Sequence, residues 1–300
     1  MNLCKRCDWL TLGAVQMLLA ALGTNGSAQP ASEPGAPSPL IMEARYTAVP
    51  VKIDGILDDP VWTGAPAYPL TLGGDRIARD GADIGTPVSE SSSAPKGADG
   101  LLDDDILGLA GGAPLADRQE PITRQTDVRE RGEVRLAWDD ANLYVAARFQ
   151  DSDIVATGAA DQLHHYQLGD VLELFIKPDG QPGYWELYAT PSGRKTSFWQ
   201  PEPRPQQTAM DCVVRDCGLR VAARCEGTLN QRQDTDTCWS VELAIPFARL
   251  LPEASVSCRI LVARYNYSSH LPWTELSMVP RLSKTDFHLC GEYAVLKLAR

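Results

Sequence analysis

Apolar residues at every second position, in short runs broken by turn formers, constrain this chain more than any other feature. Val134, Leu136 and Trp138 take alternate places, Asp139 to Asn142 supply turn chemistry, and Leu143, Val145, Ala147 and Phe149 resume the alternation. That pattern predicts a hairpin. Val171 to Ile176 is apolar on both faces apart from Glu173, as expected of a central strand, and Pro178-Asp179-Gly180 turns the chain back into Tyr184 to Ala189. Further runs follow at Leu219 to Cys225, Trp239 to Ile245, Ile260 to Val262 and Tyr293 to Leu298, with a short helix opened by Pro246 and running to Leu250 or Leu251. Many short strands and few helices predict an all-β fold, an antiparallel β-sandwich of jelly-roll type.

The ends and middle of the chain read differently. Lys5 and Arg6 precede an apolar stretch from Trp9 to Leu22, and Gly26-Ser27-Ala28 offers a small-residue cleavage site. Residues 1–28 therefore read as a signal peptide, and an uncleaved anchor is the competing reading. Residues 29–40 have the Pro-, Ala- and Ser-rich composition of a linker, and the folded domain is expected over 41–300. Inside it, about 73–131 is rich in Gly, Ser, Asp and Pro and carries Asp103-Asp104-Asp105. Such a stretch buries too little apolar surface to offset its ordering entropy and is expected to be a long disordered insertion. Leu101, Leu102, Ile106, Leu107 and Leu109 could form one amphipathic turn within it.

Charge narrows the partners. The net charge is −11. Loss of Lys5, Arg6 and Asp8 with the signal removes one net positive charge, leaving about −12. Bulk charge of this sign excludes nucleic acid and anionic membranes as electrostatic partners, while neutral ligands meet no objection. Cys4 and Cys7 would leave with the signal, and Cys212, Cys217, Cys225, Cys238, Cys258 and Cys290 remain. An even number of cysteines in an exported chain suggests disulfides, with Cys225–Cys238 and Cys258–Cys290 the preferred pairs. No Cys-x-x-Cys survives in the mature chain, which weakens a zinc reading. The expected location is secreted, periplasmic or cell-envelope.

Four motifs stand in order along the chain: Ile53-Asp54-Gly55-Ile56-Leu57-Asp58-Asp59-Pro60-Val61-Trp62, Trp138-Asp139-Asp140-Ala141-Asn142-Leu143-Tyr144-Val145, Gly169-Asp170-Val171-Leu172-Glu173-Leu174-Phe175-Ile176, and Trp239-Ser240-Val241-Glu242-Leu243-Ala244-Ile245-Pro246-Phe247. Asp54-Gly55 makes a tight turn, Asp59 is placed to cap a helical turn begun by Pro60, and Trp62 points back to the core. Together the four resemble the family 9 carbohydrate-binding module and its relatives. The resemblance implies a secreted, non-catalytic β-sandwich that binds oligo- or polysaccharide, in polysaccharide catabolism and as an accessory to a partner glycoside hydrolase.

The resemblance also points to site residues. It implies that Glu173, in the Asp-x-x-Glu strand, faces the sugar and accepts its hydroxyls; the other reading is a core glutamate satisfied by Arg148 or Arg264. Family members clamp a sugar between two tryptophans, and here Tyr166 stands near the first position while none occupies Lys284 to Phe287. Trp273 lies upstream as a core residue or a compensating platform, and Trp199 is a second platform on an expected loop. Tyr188 stands where the family places an arginine. Arg264 and Asn266 continue the Ile260–Val262 face as a polar pocket floor or as a surface rim. The resemblance further implies structural calcium, for which Asp151, Asp153 and Asp161 are the acidic candidates.

Catalysis finds little support: no Ser/His/Asp order, phosphate loop or metalloprotease helix is present, and only Glu173 with an Asp could supply opposed carboxylates. A β-sandwich interaction or assembly domain that has lost sugar binding is the alternative, favoured by the missing clamp tryptophan. A haem-carrying relative would need axial ligands from His164, His165, His270 or His288.

Overall fold

A computed structural model of the protein describes residues 39–76, 127–201, 213–250 and 257–300. The expected signal peptide, nearly all of the linker, Cys212, and positions 77–126 of the expected insertion lie outside these residues. The described ends of that insertion are tied down. Asp75 Oδ1 accepts the Thr285 amide and hydroxyl, both at 2.9 Å, and the Arg129 and Glu130 amides donate to the Glu275 carboxylate at 2.8 and 3.1 Å.

The strands in chain order are β1 (Ile41–Tyr46), β2 (Tyr68–Pro69), β3 (Gly132–Trp138), β4 (Asn142–Gln150), β5 (Val171–Pro178), β6 (Tyr184–Ala189) and β7 (Lys195–Gln200). Then come β8 (Val213–Val214), β9 (Arg220–Glu226), β10 (Cys238–Pro246), β11 (Cys258–Asn266), β12 (Glu275–Val279) and β13 (Ala294–Ala299). Two short helices, α1 (Pro60–Gly64) and α2 (Phe247–Leu250), join them. All are linked in one hydrogen-bonded sheet of order β8-β7-β6-β5-β11-β13-β1-β3-β4-β10-β9, with β12 on β11 and β2 on β3. The ladders are antiparallel except those of β1 with β13 and with β3, which are parallel.

The sheet curls into two layers at β11. One edge of that strand pairs with β5 along most of its length, and the other is shared, Cys258–Ile260 with β13 and Val262–Asn266 with β12. Between the layers lies the main core. Leu172, Leu174 and Ile176 of β5, Leu187 of β6, and Ile260 and Val262 of β11 meet Leu136, Leu143, Val145, Val241 and Leu243 from the other layer. The predicted period of two thus closes a sandwich core. A second apolar cluster, including Phe175, Tyr184, Leu261, Ala263, Phe287 and Tyr293, covers part of the opposite face of β5, β6 and β11.

The first and last motifs lock together at one corner. Glu242 of β10 is fully buried, and its Oε2 accepts the Asp54 and Gly55 amides at 3.1 and 3.0 Å while its Oε1 accepts Trp62 Nε1 at 2.9 Å. Three donors satisfy the carboxylate and fix the turn, so burial of this charge is compensated. Asp59 precedes Pro60 as expected, but its carboxylate does not cap α1; its Oδ1 accepts the Lys52 amide at 3.5 Å instead. The second motif closes the β3–β4 hairpin through Asp139, whose Oδ1 accepts the Ala141 and Asn142 amides at 2.8 and 2.7 Å.

The expected disulfides are not formed among the described residues. In the β9–β10 register Cys225 pairs with Trp239 and Cys238 with Glu226, so the two thiols point to opposite faces of the sheet. Cys258 packs in the main core and Cys290 against the second cluster, again on opposite sides.

Gly55 tests the corner. Its φ is +80°, and a Cβ added there would meet the Ala223 carbonyl carbon at 2.7 Å. Gly55→Ala is expected to lower unfolding free energy by about 1–3 kcal/mol, read as a lower urea midpoint at unchanged m-value.

Candidate functional site

The core dictates where the site lies. Because Leu172, Leu174 and Ile176 must face inward, Glu173 between them is turned to the outer face of β5. Register then places Tyr188 of β6 opposite Glu173, Glu186 opposite Phe175, and Phe198 of β7 opposite Glu186. Gln200 and Tyr265 share this outer face. A 3₁₀ turn before β5, His165–Gln167, brings Tyr166 over it, with His164 just ahead. Thr285 to His288, after β12, forms the facing wall. Together they enclose a cleft of about 270 Å³.

Its floor is polar and nearly dry. Glu173 is 2 % and Glu186 5 % exposed. Glu186 Oε2 accepts Gln200 Nε2 at 2.6 Å, and its Oε1 accepts the Tyr188 hydroxyl. Burial, reinforced by the charges of Glu173 and Glu186, pushes the Tyr188 hydroxyl well above its ordinary value; burial and then Glu173 do the same to Tyr265. Both phenols stay neutral donors. The walls are rings. Tyr166 lies 6.2 Å from Tyr188 and 5.6 Å from Tyr265, His164 stacks on Phe198 at 4.9 Å, and Phe287 meets Tyr265 edge-on at 5.6 Å. Tyr184 and His288 Nδ1 are hydrogen-bonded at 2.7 Å. Acceptors below and rings at the sides suit a ligand with an apolar C–H face and polar edges.

Tyr166, Glu173 and Tyr188 are therefore brought together. Arg264 and Asn266 are not part of the cleft. They share the inward parity of Ile260 and Val262 and are fully buried on the opposite side of β11. There Arg264 Nη2 pairs with Asp151 Oδ2 at 2.9 Å and Asn266 Nδ2 donates to Glu130 Oε2 at 2.6 Å. Trp273 is half-buried beneath the Arg129 guanidinium, 5.4 Å from it, and does not line the cleft. Trp199 is in β7 rather than on a loop, and packs against the core beside Trp185 at 5.1 Å. Its neighbour Phe198 is the one that faces the cleft. Glu186 was missed because its strand reads as core, Phe198 and Gln200 because the expected loop around Trp199 is strand β7, and Tyr265 because β11 also reads as core. Carrying the alternation of Glu173 across the β5–β6–β7 ladders would have found the first three.

The acidic calcium candidates do not converge. Asp151 is held by Arg264 and by Trp239 Nε1 at 3.1 Å, Asp153 Oδ2 accepts the Ser269 amide at 2.7 Å and faces Arg232 at 3.3 Å, and exposed Asp161 accepts the Lys195 amide at 3.2 Å. Among the described residues no three His, Cys, Asp or Glu side chains are placed to share a metal.

Comparison of the structure with solved proteins decides the fold. A Bacteroides uniformis protein provisionally described as carbohydrate-binding matches at a TM-score of 0.55 and 9% identity, over 87% of this chain and 100% of its own. The fold expected from the four motifs is the fold found. Two structures of a family 9 carbohydrate-binding module from Caldicellulosiruptor kristjanssonii, one with cellotriose and one with glucose, match at TM-scores of 0.46 and 0.45. They are 14% and 12% identical, over 86% of this chain and 93% and 95% of theirs. No family model matches the sequence, and no curated protein does at a significant level.

His165 supports the wall that carries Tyr166. It is buried, its Nε2 has no hydrogen-bond partner, and burial lowers its imidazole below the ordinary value. A group depressed in this way contributes stability that is fully present above its unfolded value, about pH 6.5, and is lost as pH falls toward the folded one. Wild type is expected to lose stability more steeply than His165→Gln between pH 7 and 5, measured as urea midpoints.

Proposed function

We propose that this protein is an exported, non-catalytic carbohydrate-binding domain that holds a saccharide in the cleft over β5, β6, β7 and β11. The observation that carries the reading is the floor of the cleft: two nearly buried carboxylates, Glu173 and Glu186, beside Tyr188 and Gln200 and walled by aromatic rings. Pyranose C–H faces stack on such rings while hydroxyls donate to carboxylates. The fold shared with the Bacteroides uniformis protein supports the same class. The charged n-region and apolar run of residues 1–28 support export, and accessory service to a glycoside hydrolase follows from the resemblance.

In this reading Glu173 accepts sugar hydroxyls, Tyr166 and Tyr265 stack, and Tyr188 orients Glu186. Titration calorimetry against xylo-, cello- and manno-oligosaccharides is expected to give saturable heat with at least one series. Tyr166→Ala and Glu173→Gln should each weaken binding by about tenfold or more, the worth of a lost stacking face or charge-assisted hydrogen bond. Trp273→Ala should leave it unchanged. A folded protein that gives no heat with any sugar would move the assignment to an interaction domain.

A further inference from the structure

The fixed charge of the cleft is one-sided, its two lining histidines being engaged, His164 stacked on Phe198 and His288 hydrogen-bonded with Tyr184. Three carboxylates line it, Glu173, Glu186 and Asp286, and among the described lining residues there is no lysine or arginine. Lys284 pairs with Asp286 at 3.6 Å but is exposed and does not line the cleft. Both Glu186 oxygens accept hydrogen bonds, one from Tyr188 and one from Gln200, an arrangement suited to the ionised form. Burial is the main cause that raises Tyr188 and Tyr265, and the charge of Glu173 adds to it in each case. Ring faces add to this, because the π-cloud of a tyrosine or phenylalanine attracts a cation held within about 6 Å.

A neutral hydroxyl uses only the hydrogen-bonding part of such a site. An acidic sugar is repelled by it. A protonated amine meets both the carboxylates and the rings, in a place where low exposure leaves the attraction poorly screened. We propose that the cleft selects saccharides bearing a free, protonated amino group over neutral, N-acetylated and uronic-acid sugars. This rests on the carbohydrate reading and sharpens it by naming the ligand's charge.

The test is calorimetry of the full mature chain at about pH 6, where a sugar amine is largely protonated. The probes are a glucosamine tetramer, its fully N-acetylated counterpart, cellotetraose and a glucuronate-containing oligomer. The glucosamine tetramer is expected to bind about tenfold more tightly than the N-acetylated and neutral ones, and the glucuronate oligomer most weakly. Glu173→Gln and Glu186→Gln, each shown to be folded by circular dichroism, should narrow that gap rather than weaken all four alike. Equal or tighter binding of the neutral or N-acetylated oligomer would overturn the charge selection and leave the carbohydrate reading standing. No binding of any of the four would overturn both.

Discussion

A guanidinium sealed between two sheet layers is the interaction on which the rest of this structure depends. Arg264 is fully buried, and its charge is compensated by Asp151 at 2.9 Å, by the Glu130 carbonyl at 3.0 Å and by the face of Phe149, 4.9 Å away. Asp151 is fixed in turn by the indole of Trp239 at 3.1 Å. Asp170, completely buried, accepts the Val155 and Tyr267 amides at 2.6 and 2.7 Å. Burial, and the negative charge of Asp151, hold the Asp170 carboxyl well above its ordinary value, so this end of the core is sensitive to any change in charge. Breaking a buried pair of this kind by removing one partner typically costs about 3–5 kcal/mol. The network ties β11 to the end of β4, to the start of β10 and to the turn before β5.

That network and the cleft are two sides of one sheet. Asp170 stands three residues before Glu173, and Arg264 one residue before Tyr265, so what is clamped between the layers sets the height and rotation of what faces out. β5 and β11 thus divide their work by parity: Leu172, Leu174 and Ile176 of β5 pack the core, while Glu173 meets the cleft and Phe175 the second apolar cluster. A one-residue slip would send Glu173 into the core and Leu174 into the cleft. The buried ion pairs are exposed to the same penalty, since a slip would also part Arg264 from Asp151.

Parity also explains how far the sequence could be read. The hairpin of Leu136 and Val145, the central strand of Leu172 to Ile176 and the corner at Gly55 follow from alternation and turn chemistry, and all are found. Glu173 was legible because one charge interrupts an apolar run. Arg264 shares the parity of Ile260 and Val262, which fixes it as inward; a pocket-floor role assumed an open face where a second layer lies. The cysteine pairs failed for the same reason, since Cys225 and Cys238 are diagonal across a ladder rather than directly opposite. Glu186 interrupts an apolar run as Glu173 does and carried the same signal unread, whereas Phe198 was hidden because the stretch around Trp199 reads as a loop and is strand β7. Phe287 and His288 lie on a loop, where no period operates.

The walls of the cleft come from loops, yet each loop is anchored. The Tyr267 hydroxyl donates to the Tyr166 carbonyl, the Tyr293 hydroxyl donates to the Phe287 carbonyl at 2.5 Å, and Thr285 is held by Asp75. Glu186 is already oriented by Tyr188 and Gln200 before any ligand arrives. A site with its acceptors pre-aimed spends little of its binding free energy on ordering the protein. Discrimination then falls to the ligand's own groups: which hydroxyls reach the carboxylates, which face lies on a ring, and what charge it brings. A substitution on the floor is then felt directly in affinity, because the acceptors that it removes are already aimed at the ligand.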